Sequence, residues 1–377
     1  MIRKSDVQWW VLEAKKHPAS APAIIEELAR RLTELDAENE RLRDEIVRLQ
    51  RRTPAAAPSA DVEALQRKVE TLQNLLDGEK PIETCVVFLS DRLQSAQLPL
   101  SRAGQMAREG RPALDKRALL GLRCLLLARP HDELLLLTSQ GRGLKAQLSD
   151  IPTLSEGDGW PTAEGEGLAA GERLTAAVAV GEPPRFWTVA TRRGYVQRLV
   201  RVAFDRQLAQ GGRLVKSPLR NDTPVAIVNG DRGDLLLVTR WGKGVRFSHR
   251  AIEGQGSVAL DLEADDEVVT ALSLPSDTEI LIVTASGHAM RRDTARIAAR
   301  SRPGSAGRTL IQAHDVLAAF PYSPTGRLLY LTYSGKLVFV STADVPLQDR
   351  AGKGAPMRDM SRDPAVAVAL VLESSLQ

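Results

Sequence analysis

The sequence is poor in the residues that form disulfides and metal sites. Among its 377 residues only two are cysteine and five are histidine. Cys85 and Cys124 both lie in apolar, strand-like runs, so we expect buried reduced thiols, which are typical of a cytoplasmic protein. The histidines are scattered, and none has metal-ligand spacing with a cysteine or a carboxylate. We therefore expect no metal and no other cofactor.

Long hydrophobic runs are also missing. The mean hydropathy is −0.19, and no stretch approaches the run of about 18 apolar residues that a membrane-spanning helix needs. The first ten residues, MIRKSDVQWW, contain no apolar core of the length found in a signal peptide. The sequence therefore predicts a protein without a membrane segment.

What the sequence does have is a repeated hairpin. Asp234–Phe247 reads DLLLVTRWGKGVRF, an apolar strand, a turn around Gly242, and a second alternating strand. A glycine at the reversal can take a positive φ. The same Thr-x-x-Gly pattern recurs with periods of 53, 48, 45 and 48 residues, at Thr138, Thr191, Thr239, Thr284 and Thr332. A period of this size is typical of propeller blades.

Each repeat has a second half. A Gly-rich loop follows the hairpin, and then a further apolar run such as Val268–Leu274, so one unit holds about four short strands. Residues 83–127 supply another strand pair, although the hairpin Ser90–Leu93 lacks the Thr-x-x-Gly pattern. The sequence predicts a mainly β protein with a propeller-like ring at residues 82–377, of six blades or alternatively five.

The first 80 residues are of a different type. A short helix is predicted within residues 1–20, and residues 21–80 read as a coiled-coil stalk in two segments, broken by prolines within residues 51–61. Apolar residues repeat every seven positions, with one asparagine in the series, which favours a parallel homodimer. The predicted dimer contacts are Ile25, Leu28, Leu32, Leu35, Asn39, Leu42, Ile46 and Leu49. A single amphipathic helix packed on the blades is the alternative.

Basic charge is concentrated in one part of the repeats. Residues 181–260 carry 14 basic and 6 acidic side chains, against a net charge of +4 for the whole chain. Lysine and arginine on hairpin tips and outer loops are suited to contact phosphates. The expected duplex DNA contacts are Arg192, Arg193, Arg198, Arg201, Arg213, Lys216, Arg220, Arg240, Lys243, Arg246 and Arg250.

The repeats resemble the C-terminal domain of the A subunit of DNA gyrase and of topoisomerase IV. The resemblance is carried by the five Thr-x-x-Gly hairpins and by the loops that follow them. These loops are Ala209–Arg213, Glu253–Gly256, Arg302–Gly304 and Arg350–Gly354. It implies a β-pinwheel, whose blades exchange strands, that binds and bends duplex DNA around a basic rim.

The resemblance has two departures. A coiled coil stands where that family has its breakage–reunion region, and all four tyrosines lie within the repeats, so we expect a non-enzymatic protein. The Gln-basic-basic-Gly-Gly-basic-Gly box of gyrase is present only as fragments, at residues 210–213 and 350–354. The second fragment adds Arg350 and Lys353 to the expected DNA contacts. Bending of DNA is therefore expected rather than full chiral wrapping.

The sequence predicts a dimeric, nucleoid-associated DNA-binding protein that modulates DNA topology. Two alternatives remain open at this stage. The ring could be a scaffold for protein interactions, or the chain could be an accessory subunit that acts in trans with a type II topoisomerase.

Overall fold

The computed structural model describes two units of the chain. They comprise residues 1–80 and 81–377, and the described residues are Arg30, Ala37, Arg41, 83–154, 159–162, 165, 167–274 and 278–372. Arg30, Ala37 and Arg41 are helical and exposed. The short helix predicted within residues 1–20, the predicted dimer contacts and the break at 51–61 lie outside the described residues.

The second unit is built mainly from short β-strands, so the prediction of a mainly β protein is confirmed. In chain order its elements are β1 Cys85–Ser90, β2 Ser95–Pro99, α1 Leu100–Glu109, α2 Lys116–Gly121, β3 Leu122–Ala128, β4 Glu133–Thr138, β5 Gly143–Gln147, β6 Leu174–Val180, β7 Phe186–Thr191, β8 Tyr195–Val200, α3 Arg201–Ala209, β9 Pro224–Asn229, β10 Asp234–Thr239, β11 Lys243–Ser248, β12 Ser257–Val258, β13 Val268–Leu274, β14 Glu279–Thr284, β15 His288–Asp293, β16 Arg308–Thr309, β17 Val316–Pro321, β18 Arg327–Thr332, β19 Leu337–Ser341, β20 Ala355–Pro356 and β21 Ala365–Val371.

The described strands form six antiparallel sheets with one common plan. In each, a central strand pairs with its hairpin partner on one side and with the returning strand on the other. The orders are β2-β1-β3, β5-β4-β6, β12-β8-β7-β9, β13-β10-β11-β16, β17-β14-β15-β20 and β19-β18-β21, which we number sheets 1 to 6. The returning strands β3, β6, β9, β13, β17 and β21 contact one another in a closed cycle.

The central strands are apolar on both faces because each sheet packs between two others. In β10, Leu235 and Leu237 join a buried cluster shared with sheet 3, whereas Leu236 and Val238 join a cluster shared with sheet 5. Burying each of these side chains contributes about 2 kcal/mol. A further cluster joins sheet 6 to sheet 1, in which Leu329 packs with Phe88. The core is therefore a cycle of intersheet clusters.

Neighbouring sheets also exchange short segments. The two-residue strand β16 follows the hairpin of sheet 5 but pairs with β11 of sheet 4, and β12 and β20 are placed in the same way. Single bridges do this for the remaining sheets, at Gln97↔Thr153, Arg142↔Arg213 and Pro112↔Lys336. We call residues 112–114, 152–154, 213–215, 257–260, 308–311 and 355–358 the exchanged segments. They lie at the outer edges of the sheets, opposite the returning strands.

Candidate nucleic-acid interface

The geometry of the repeated hairpin explains why threonine and glycine recur in it. Thr239 is fully buried, and its hydroxyl accepts the backbone N–H of Lys243 at 3.1 Å. The N–H of Gly242 donates to the carbonyl of Thr239 at 3.0 Å, with Gly242 at φ 71°. A Cβ on Gly242 would clash with the carbonyl oxygen of Ile311 in an exchanged segment. Glycine is thus required both for the turn and for the close approach of the next repeat.

The same glycine carbonyl accepts a hydrogen bond from the exchanged segment in all five hairpins. The pairs are Leu214–Gly141 at 2.7 Å, Ala259–Gly194 at 2.8 Å, Leu310–Gly242 at 2.7 Å, Met357–Gly287 at 3.1 Å and Ala113–Gly335 at 2.7 Å. The hairpin tip therefore fixes where the next exchanged segment runs.

A sixth hairpin has the same geometry with different residues. Ser90 takes the place of threonine, and its hydroxyl accepts the N–H of Gln94 at 2.9 Å. Leu93 takes the place of glycine at φ 62°, a conformation that is uncommon for a leucine. The sequence analysis placed a hairpin at Ser90–Leu93 but outside the Thr-x-x-Gly pattern, because both of its key residues differ.

A carboxylate supports each of the five Thr-x-x-Gly hairpins. In sheet 3, Asp222 accepts hydrogen bonds from the Thr191 hydroxyl at 2.6 Å and from the Arg193 N–H at 2.8 Å. Glu172, Asp266, Asp315 and Asp363 contact the other hairpins. The sequence analysis missed these acids. Their signal is an acidic residue one or two positions before the returning strand.

Two of these carboxylates, Glu172 and Asp363, have pKa values lowered by their hydrogen bonds. Burial opposes the ionisation of Glu172, but hydrogen bonds from Arg142 and Thr138 lower its pKa to about 2. Burial likewise opposes ionisation of Asp363, and hydrogen bonds from Ser334 and Thr332 bring its pKa below the usual value. Some of the acidic residues that offset arginines in a charge count along the chain therefore have a structural role within the hairpins.

Four of the expected DNA contacts are paired with acids. Arg192 and Arg240 both contact the carboxylate of Glu267 and line a cavity between the returning strands. Lys243 contacts Glu263, and Arg246 contacts Asp234 at 2.6 Å. The expectation of an exposed outer position is wrong for Arg246, whose side chain is 11% exposed. Arg192 and Arg240 are exposed, as expected, but they line the inner cavity rather than the outer edge.

Three more of the expected contacts bind backbone carbonyls. The guanidinium of Arg193 donates to Ala264 at 3.1 Å, and that of Arg198 donates to Gly230 at 2.9 Å. Arg198 also lies over the ring of Phe186, 3.8 Å from its centroid. Arg201 is exposed at the start of α3, and its guanidinium donates to Pro183 at 3.4 Å.

The other six expected contacts are exposed. Within the described part of the chain their side chains form no ion pair or hydrogen bond; they are Arg213, Lys216, Arg220, Arg250, Arg350 and Lys353. Arg213 lies in an exchanged segment, with Lys216 and Arg220 directly after it. Arg350 and Lys353 directly precede another. These residues are free to contact an external anion.

A further group of exposed arginines was missed by the sequence analysis. It leads into the exchanged segment on sheet 4, and its members are Arg296, Arg300, Arg302 and Arg308. Arg296 contacts Asp349 at 3.2 Å. Residues 261–377 contain more acidic than basic residues, so this segment showed no basic excess in the sequence. The loop Arg302–Gly304 was noted only as part of the repeat pattern.

Other candidate features have structural partners. Trp241 at a hairpin tip packs edge-on against His314, with ring centroids 5.4 Å apart. Cys85 and Cys124 are free thiols whose pKa burial raises to about 12. Within the described ranges, no three or more His, Cys, Asp or Glu side chains form a group that could hold a metal ion. None of the described helices is long and apolar enough to cross a membrane.

Comparison with known proteins bears on this arrangement. The family model described as "DNA gyrase C-terminal domain, beta-propeller" matches residues 132–157 and 233–275. The second unit is similar to the DNA gyrase A C-terminal domain. This confirms the resemblance that the hairpin repeats predicted.

Relatives of known name support the same similarity. The A subunit of DNA gyrase from Staphylococcus aureus strain COL is 26% identical over 322 residues, which cover 80% of this chain and 36% of that protein. Its counterpart from strain MRSA252 is 26% identical over 313 residues, covering 78% and 35%. The chain therefore spans about a third of the length of these relatives.

Two solved structures share the fold. A DNA gyrase A C-terminal domain superposes with a TM-score of 0.62 and 18% identity, covering 77% of this chain and 100% of that one. The C-terminal domain of DNA topoisomerase IV superposes with a TM-score of 0.54 and 18% identity, covering 77% and 93%.

Proposed function

We propose that the second unit is a six-bladed pinwheel that binds and bends duplex DNA along its outer edge, without catalysing a reaction. The observation that carries the proposal is the set of exposed arginines in and beside the exchanged segments. Arg213 and Arg220 lie beside sheet 2, Arg300 and Arg302 beside sheet 4, and Arg350 beside sheet 5. The closed cycle of six sheets supports the blade count.

The mechanism needs only phosphate neutralisation and DNA deformation. Because the basic side chains lie beside sheets 2, 4 and 5 of a closed cycle, a duplex that contacts all of them must follow the curved edge. Arginine binds phosphate through several N–H donors, which also orients the duplex. No recognition helix enters a groove in this arrangement, so sequence preference comes from how easily a site bends.

The proposed partners are duplex DNA, a second copy of the chain and a type II topoisomerase. The heptads at residues 25–49 would form a parallel coiled-coil homodimer, which raises the effective concentration of the second ring once one has bound. The similarity of the second unit to part of a type II topoisomerase subunit favours association with such an enzyme. The free thiols and the DNA partner favour the nucleoid in the cytoplasm.

The test compares two sets of arginines in a gel shift on linear duplex. The outer variant carries Arg213→Ala, Arg220→Ala, Arg300→Ala and Arg302→Ala. The inner control carries Arg192→Ala and Arg240→Ala, together with Arg173→Ala and Arg123→Ala so that both variants lose four positive charges. We expect the outer variant to bind about a hundredfold more weakly at 100 mM salt, because it loses about four phosphate contacts. The inner control should lose less than threefold.

Bending is measured separately by ligation of short duplexes into circles. The wild-type protein should increase circle formation, and the outer variant should not. Equal DNA binding by both variants, or a larger loss in the inner control, would show that the outer edge is not the DNA site.

A further inference from the structure

The cavity between the returning strands has features that DNA binding does not use. It has a volume of about 640 Å³, which is within the range of small-molecule sites. Its wall is formed by apolar residues of the six returning strands, among them Leu125, Ala177, Val269 and Leu317. The charged residues and the histidine that line it are Arg123, Arg192, Arg240, Glu267, His314 and Asp315, and the thiol of Cys124 lies beside them.

Two arginines converge on one acid in this cavity. Arg192 and Arg240 contact the two carboxylate oxygens of Glu267, one oxygen each. Their side chains remain 53% and 52% exposed, whereas that of Glu267 is only 11% exposed. Each guanidinium has five N–H donors, so both retain donors that face the cavity. Because the carboxylate of Glu267 already contacts both guanidinium groups, the distance between Arg192 and Arg240 suits the binding of an acidic group.

The hairpin fold does not require arginine at these positions. Arg192 and Arg240 directly follow the threonine of their hairpins, and the equivalent residues elsewhere are Asp91, Ser139, Ala285 and Tyr333. The hairpin hydrogen bonds of the Thr-x-x-Gly repeats are made by the threonine, the glycine and the supporting carboxylate. An exposed ion pair also adds at most about 1 kcal/mol to stability.

The remaining charges leave the cavity basic. Asp315 accepts the N–H of Ser286 at 2.9 Å and supports its hairpin, while Arg123 donates to the carbonyl of Thr175 at 3.0 Å and stays exposed. Glu267 and Asp315 offset two of the three arginines, which leaves one net positive charge in the lining. His314 packs against Trp241 and places an aromatic surface at the wall.

From this arrangement we propose that the cavity binds a small organic anion with a flat apolar body and one acidic group. The acidic group contacts Arg192 and Arg240 in competition with Glu267, and the apolar body lies against the returning strands. This site goes beyond the proposed function, because it involves neither the outer edge nor DNA.

The test uses the full chain and the dye 8-anilinonaphthalene-1-sulfonate, whose body is apolar and whose sulfonate is anionic. Saturable binding of one dye per chain is expected by fluorescence and by calorimetry. Arg192→Ala with Arg240→Ala should weaken binding at least tenfold, while Arg213→Ala with Arg220→Ala, which changes the net charge equally, should leave it unchanged. Circular dichroism and the melting temperature of each variant verify folding.

Glu267→Gln gives a result of opposite sign. Because it removes the competing carboxylate, it should tighten dye binding several-fold, an effect that a purely structural ion pair would not produce. Absence of saturable binding, or equal binding by wild type and both cavity variants, would overturn the proposal.

Competition identifies the group that is recognised. Benzoate should displace the dye, and inorganic phosphate at equal ionic strength should not. If inorganic phosphate displaced the dye and benzoate did not, the proposed contact between the apolar body and the returning strands would be wrong. Gel shifts of the same variants report separately on the DNA proposal, so the two can fail independently.

Discussion

The hairpin tips and the outer edges of this domain use arginine in different ways. At the tips, Arg142 and Arg240 are engaged by acids, and a carboxylate supports each Thr-x-x-Gly turn. At the edges, Arg213, Arg220 and Arg302 have no side-chain partner within the described part of the chain. The comparison teaches that local charge density does not identify a binding surface. A count along the chain includes arginines that are already paired within the fold.

The largest expected effect is on stability, at a hairpin glycine. Gly242→Ala should cost about 3 kcal/mol of unfolding free energy, because alanine adds both a strained positive φ and a clash with Ile311. Gly110→Ala is the control, since Gly110 has φ 67° and no atom near a Cβ, and should cost about 1 kcal/mol. Urea unfolding of both variants measures the difference. Equal costs would mean that the exchanged segment moves away freely.

A smaller effect on stability is expected at a supporting carboxylate. The pKa of Glu172 is lowered to about 2 in the folded chain, against about 4.3 for an unfolded glutamate. Its contribution is therefore complete above about pH 4.3 and is lost as the pH falls towards 2. Glu172→Gln should cost about 2 kcal/mol at pH 7.

The pH dependence of the unfolding free energy shows whether the negative charge of Glu172, rather than the size of its side chain, stabilises the hairpin. Unfolding of the wild type and of Glu172→Gln is compared from pH 7 to pH 2, and the difference should shrink over the lower half of that range. A difference that is constant with pH would show that the ionised carboxylate is not what supports the hairpin.

The smallest stability effect is expected at the outer edge. Arg300→Ala with Arg302→Ala should change the unfolding free energy by less than about 0.5 kcal/mol, because neither side chain has a partner in the described structure. The same variant should weaken DNA binding about tenfold at 100 mM salt, through the loss of about two phosphate contacts. If the variant lost stability but bound DNA as tightly as the wild type, these arginines would support the fold and not the DNA interface.

The sequence predicted the features that are local in the chain. Thr239 and Gly242 are three residues apart, and their hydrogen bonds close the turn within residues 239–243, so the hairpins were found from spacing alone. The exchange of strands was available only through the resemblance, because each exchanged segment is three or four residues long and pairs with a strand far away in sequence.

The pairing of charges was not predictable for the same physical reason. Arg192 and Glu267 are 75 positions apart and meet only because the sheets close into a cycle. The hairpin of Ser90 and Leu93 was expected, but its likeness to the other five turns was not, because the backbone geometry survives a change of both key residues. Arg300 and Arg302 were missed because acids such as Asp315 and Asp363 offset them in a linear count.

The dependence of duplex binding on salt tests the central claim most directly. With about six phosphates contacted, log Kobs should fall with log salt at a slope of roughly −5 for the wild-type protein. With Arg213, Arg220, Arg300 and Arg302 replaced by alanine, the slope should become about −2. A slope that is the same in both proteins would contradict the assignment of the outer edge as the DNA interface.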